Sequence, residues 1–83
     1  MEGKQLVGTV THFFPKIMVA VVKLEKELRV GDQILVEGHG ESFEQTIDSM
    51  QIDKNSISSA KKGQEIAIKV ENPVKEKFQI FKL

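Results

Sequence analysis

The sequence has no cysteine, no tryptophan and no tyrosine, and only two prolines among its 83 residues. Without cysteine there is no disulfide framework, no thiolate metal site and no cysteine nucleophile, which fits a reducing compartment. With only two histidines, a metal site would need carboxylate ligands as well. Charge of neither sign is in excess, because 12 Lys and Arg face 12 Asp and Glu, so no overall basic field draws the chain to nucleic acid. Any nucleic-acid contact has to be a local patch. No apolar run approaches the roughly 20 residues that span a bilayer, and Met1-Glu2-Gly3-Lys4 has no basic region leading into an apolar stretch. The expectation is a cytoplasmic, untargeted protein. A chain of this length holds one hydrophobic core and no second one, so a single domain over residues 1–83 is expected and a two-domain enzyme is excluded. Hydrophobic content of 40% with 29% charged residues is that of a folded chain rather than a disordered one.

Helical periodicity is also scarce. Short apolar runs separated by Gly, Pro, Asn and Asp recur instead, the pattern of an all-β domain. Gln5 to Phe14 reads as a first strand with Leu6, Gly8 and Val10 on one face, ended by a turn at Phe14-Pro15-Lys16. Ile17 to Leu24 has seven apolar residues of eight and no alternation, which predicts a central strand buried on both faces. After the charged Glu25-Lys26-Glu27, a turn at Val30-Gly31-Asp32 leads to a strand over Gln33 to Glu37, closed by Gly38-His39-Gly40. In Glu41 to Ile52 the two-residue period slips between Ile47 and Met50, which predicts a β-bulge. Asp53 to Lys62 reads as a polar loop with room for one helical turn. Glu65 to Val70 alternates cleanly, Asn72-Pro73 breaks it, Val74 to Lys77 reads as a polar turn, and Phe78 to Leu83 as a last strand. The sum is about six strands in a small Greek-key-like closed barrel.

This order of elements resembles a known family. The residues carrying the match are Leu28, Val30, Gly31, Asp32, Ile34, Val36 and Gly38, then Thr46, Ile47 and Met50, then Ala60, Gly63, Ile66, Ile68 and Val70. They are similar to the second, β-barrel domain of translational GTPases such as elongation factor Tu. The pattern also resembles stand-alone elongation-factor-like proteins and the barrel appended C-terminally to collagenase-like peptidases, a family that includes RNA-modifying enzymes. The likeness spans nearly the whole chain, and each matched residue has a task that any such barrel would impose, so it identifies a fold better than a function. The chain departs from the family in two turns. A glycine commonly opens the second strand where this chain has Ile17 or Met18, and Gly-Asp precedes the last strand where it has Lys77 and Phe78. In elongation factor Tu an acidic and an amide residue hold the aminoacyl end of transfer RNA; the matching positions here are Ser49 and Glu65, which speaks against binding in that mode.

Catalytic constellations are missing. No Gly-x-x-x-x-Gly-Lys-Ser/Thr loop is present to cradle phosphates, so the chain binds no nucleotide of its own by that motif. Ser42, Ser49, Ser56, Ser58 and Ser59 accompany His12 and His39, but no Gly-x-Ser-x-Gly elbow frames them. His39 with Glu37 and Glu41 has metal-ligand chemistry, though a polar hairpin tip needs the same residues. The expectation is a non-enzyme without cofactor or metal. His12-Phe13-Phe14-Pro15-Lys16 combines aromatic and cationic groups suited to stacking on bases, and Lys61-Lys62, with Lys23, supply a second basic set. If Phe14 packs inward, Phe13 is free to stack. Two readings stay open: a module contacting RNA or a ribosome-associated ligand through His12, Phe13, Lys16, Lys23, Lys61 and Lys62, or a protein-interaction domain that docks on a separate enzyme chain such as a collagenase-like peptidase or RNA-modifying enzyme.

Overall fold

The computed structural model describes residues 5–83, which form ten β-strands and no helix. They are β1 (Gln5–Phe14), β2 (Val19–Leu24), β3 (Leu28–Arg29), β4 (Gln33–Gly38), β5 (Glu41–Thr46), β6 (Met50–Ile52), β7 (Asn55–Ile57), β8 (Ser59–Ala60), β9 (Glu65–Lys69) and β10 (Gln79–Lys82). Eight of them share one antiparallel sheet in the order β5-β4-β10-β1-β2-β9-β6-β7, and β3 pairs with β8 separately. The sheet curls around a core built from alternate residues of every long strand, among them Val22, Leu24, Ile34, Val36, Ile68 and Ile80.

The long first strand sets the curvature, because its register shifts twice, between Leu6 and Gly8 against β10 and between Val10 and His12 against β2. Each bulge bends the strand and inverts the alternation beyond it. Val7 and Val10 therefore both lie in the core, whereas Leu6, expected on the face of Gly8, is half-buried outside. Gly8 packs tightly against β2; a Cβ there would stand 2.7 Å from the carbonyl oxygen of Lys23 and from Val22 Cγ1.

Several local expectations change. The apolar run Ile17 to Leu24 is central, between β1 and β9, but it is buried on one face only: Ala20, Val22 and Leu24 point inward, Val19 and Val21 are half-buried outside, and Ile17 is 58% exposed. The slip before Met50 is not a bulge. β5 ends at Thr46, and Ile47 continues past it to bond Asp32 and Gly31, its N–H donating to the Asp32 carbonyl at 2.9 Å and its carbonyl accepting from Gly31 N–H at 2.9 Å. Instead of a helical turn, Asp53 and Lys54, at φ of 50° and 67°, join β6 and β7 in a two-residue hairpin. Val74 is buried at 3% rather than lying in a polar turn.

The closed barrel is not reached by backbone ladders, since β5 and β7 are the ends of an open sheet. A side chain spans the gap beside β5. Gln45, 6% exposed, donates from Nε2 to the Lys69 carbonyl at 2.9 Å and accepts at Oε1 from the Glu71 N–H at 2.8 Å. The side-chain amide thus offers the donor and acceptor that a neighbouring strand would.

The two turns that depart from the resembled family hold residues in the left-handed region, Met18 at φ 54° and Lys77 at φ 77°. The left-handed conformation costs an L-residue about 1–2 kcal/mol, part of which a glycine returns through its freer unfolded chain. Lys77→Gly is therefore expected to stabilise the fold by about 0.5–1 kcal/mol in a urea melt; an unchanged or lower midpoint would show that the turn carries no such strain.

Candidate docking face

The register of the central strands lines up outward side chains in rows. His12 pairs with Val21 and Val21 with Ala67, while Phe14 pairs with Val19 and Val19 with Lys69. Gln51, opposite Ala67, extends the first row onto β6. Phe14 (44% exposed), Ile17, Val19, Val21 and Ala67 together make an apolar strip on the outer face of β1, β2 and β9, none of them fully buried. A shallow groove of about 260 Å³ lies beside Ile17, Val19 and Ala67 of the strip, lined by these with Ser49, Gln51, Ile68 and Lys69. Such a strip is what a mostly apolar strand produces when nothing covers one of its faces.

The six residues singled out from sequence do not form one cluster. Lys16 lies in the turn between β1 and β2, near His12 and Phe13, and Lys23 lies near the far end of β2. Five residue steps along β2 separate its ends by about 16 Å. Lys61 and Lys62 belong to that far end, because the Gly63 N–H donates to the Leu24 carbonyl at 2.9 Å. Lys16, Lys23, Lys61 and Lys62 are all exposed. His12 is exposed as well, with Nδ1 3.7 Å from Glu76 Oε2. The aromatic assignment is reversed: Phe13 is half-buried against the core, and Phe14 faces out, its ring 5.0 Å from the His12 imidazole. The cause is the bulge after Val10, which places both Thr11 and His12 outside and returns Phe13 to the inner phase.

Of the two positions matched to aminoacyl binding, Ser49 lines the groove and Glu65 lies opposite Lys23 on β9. Glu65 Oε2 accepts a hydrogen bond from Thr11 Oγ1 at 2.8 Å. Among the described residues no group of three or more His, Asp or Glu converges as a metal site, and no buried side-chain polar atom lacks a hydrogen-bond partner. No described helix is long and apolar enough to cross a membrane. The apolar members of the face, Phe14, Ile17, Val19, Val21 and Ala67, escaped the sequence reading. Their signal was the missing alternation of Ile17 to Leu24, which implies a second apolar face without saying what lies against it.

No family model matches the chain. An uncharacterized protease of Methanocaldococcus jannaschii is 33% identical over 78 residues, 93% of this chain and 19% of the protease. The chain thus spans less than a fifth of that relative's length. Among solved structures, the C-terminal domain of a putative U32 peptidase from Geobacillus thermoleovorans superposes with a TM-score of 0.89 at 24% identity, covering 95% of this chain and 92% of that domain. Its selenomethionine variant gives 0.86 at 24% identity, covering 92% and 96%. These similarities support the resemblance to the barrel of collagenase-like peptidases and do not bear on the likeness to elongation factor Tu. Over nearly its whole length, this chain has the fold of the C-terminal domain of a putative U32 peptidase.

Proposed function

We propose that the chain is a non-catalytic interaction module that docks, through the outer face of β1, β2 and β9, on a peptidase-like catalytic polypeptide. The observation that carries this reading is the apolar strip Phe14, Ile17, Val19, Val21 and Ala67 left uncovered on a central part of the sheet. Water over such a strip is released when a partner of matching shape covers it, and the core of a protein interface has this apolar character. The similarity of the fold to a peptidase's C-terminal domain supplies the kind of partner. The reading as an RNA-contacting module has less support, since the candidate cations lie at opposite ends of β2 and the patch between them is apolar.

A photo-crosslinking amino acid placed at Ile17 or Val19, with Ser56 on β7 as the control position, tests the proposal in native lysate. A peptidase-like polypeptide should be captured from Ile17 and Val19 but not from Ser56, and capture should survive both ribonuclease and high salt. Ile17 is 58% exposed and Val19 half-buried, so covering them contributes only part of the roughly 1.5–3 kcal/mol of a full burial, but Ile17→Glu with Val19→Glu also puts two unpaired carboxylates into the contact and should weaken the complex at least about 100-fold. Thermal melts report whether the double variant folds. Captured RNA, or a complex that dissolves with salt, would overturn the reading in favour of nucleic acid.

A further inference from the structure

A second surface, separate from the apolar strip, lies at the open edge of the sheet. β5 pairs with β4 on one side and, among the described residues, with no strand on the other. The two-residue hairpin at His39 and Gly40, with φ of 52° and 80°, makes Gly38 and Glu41 a hydrogen-bonded pair. By alternation, Glu41, Phe43 and Gln45 bond to β4, and the main-chain groups of Ser42 and Glu44 face the open side. The bond from Ile47 N–H to the Asp32 carbonyl continues the same phase.

The surroundings of this edge are shaped and charged. Open grooves of about 400 Å³ and 460 Å³ meet at Glu41 and Ser42. The first runs over Glu37, Gly38 and Gln79 on the outer face. The second lies between the edge and Asn72-Pro73, with half-buried Phe43 in its lining. Between Val30 and Asp53 the sequence has six carboxylates and no Lys or Arg; of these Glu37, Glu41 and Glu44 lie on β4 and β5, whereas Asp32 pairs with Lys82 Nζ at 3.4 Å and Asp53 sits in the β6–β7 hairpin at the other end of the sheet. The neutral chain is therefore divided, with half of its 12 acids and none of its 12 cations in this segment. Two such edges would bring Glu41 and Glu44 against like charges, which opposes pairing between copies, whereas a cationic strand would be attracted.

We propose that the edge of β5 over Glu41–Glu44 takes an extended, Lys- or Arg-bearing polypeptide segment by strand addition. The main-chain groups of Ser42 and Glu44 pair with the segment, and Glu41 and Glu44 select its charge. Gln45, tied to Lys69 and Glu71, sets where the added strand stops. Guarding the edge against aggregation would also place charge here, but that role predicts no bound peptide.

The test titrates the full chain, labelled for NMR, with a synthetic peptide alternating Lys and Thr and with one alternating Glu and Thr. The cationic peptide should shift the amide signals of Ser42 and Glu44 and slow their hydrogen exchange about ten-fold or more, leaving Ser56, the residue of β7 whose main chain faces out from the opposite edge, unchanged. The acidic peptide should bind at least about ten-fold more weakly. Ser42→Pro, which removes an edge N–H that β4 does not use, should abolish the shifts, and Glu41→Lys with Glu44→Lys should reverse the preference between peptides. Equal binding of both peptides, shifts at Ser56, no shifts at all, or concentration-dependent pairing of the chain with itself would each overturn the proposal.

Discussion

Phe78→Ala should remove about 3–5 kcal/mol of folding free energy, against about 4–12 kcal/mol for a whole domain of this size. Phe78 is 2% exposed and sits just before β10, its carbonyl accepting from the Val10 N–H of β1 at 2.7 Å. Two contacts make it a keystone of one end of the sheet. Its ring lies 5.2 Å from the His39 imidazole at the β4–β5 hairpin, and a Cβ at Gly38 would come within 2.5 Å of Phe78 Cδ1. Gly38 is thus a glycine because the ring needs its space. Removing the ring should leave a cavity under the hairpin, read as a large fall in the midpoint of a urea melt. Gly38→Ala forces the converse overlap and should cost about 1–3 kcal/mol. In a double-mutant cycle the penalty of Gly38→Ala should largely disappear once Phe78 is Ala, because the clash has lost its partner. Penalties that simply add would show that the two positions do not share this contact.

Gln45→Ala is the second large effect, about 2 kcal/mol, because the Lys69 carbonyl and the Glu71 N–H lose their partner in a half-closed place. Gln45→Leu keeps most of the volume and should cost nearly as much, since apolar bulk meets neither group. Gln45→Glu keeps the acceptor for Glu71 N–H and loses the donor to Lys69, leaving a carboxylate oxygen facing a carbonyl; it should not restore stability. Hydrogen exchange gives the spatial readout. Amide protection should fall at Glu71 and along β5 before it falls in β2, if Gln45 is what fastens the open edge to the sheet. Uniform loss of protection across the strands would rule out that role.

The expectation of an all-β fold followed from local chemistry. Short apolar runs with glycine and proline between them have few other ways to be buried, and the pairing of β4 with β5 follows from two glycines around His39. The cleanly alternating Glu65 to Val70 became β9 with Ile66, Ile68 and Val70 all buried. Alternation works there because no extra residue interrupts it.

The first strand shows why the same reasoning stops. Nothing in Gln5–Phe14 marks the two bulges, which arise from pairing with β10 on one side and β2 on the other. Bulges reverse which residues face in, so they exchanged Phe13 and Phe14 between core and solvent. The outward strip had a similar history. An apolar run states that both faces of β2 avoid water, but burial of the second face depends on a partner that lies outside the local sequence. Likewise the candidate cations are separated in space by the length of β2, a distance that their identities do not encode. Residue types and their spacing thus dictated the all-β class, the strands β2, β4 and β9 and the β4–β5 turn. Bulge phase, the Gln45 clip and the grouping of surface residues into an apolar face and an acidic edge were decided by long-range pairing, because each depends on contacts between residues far apart in the chain.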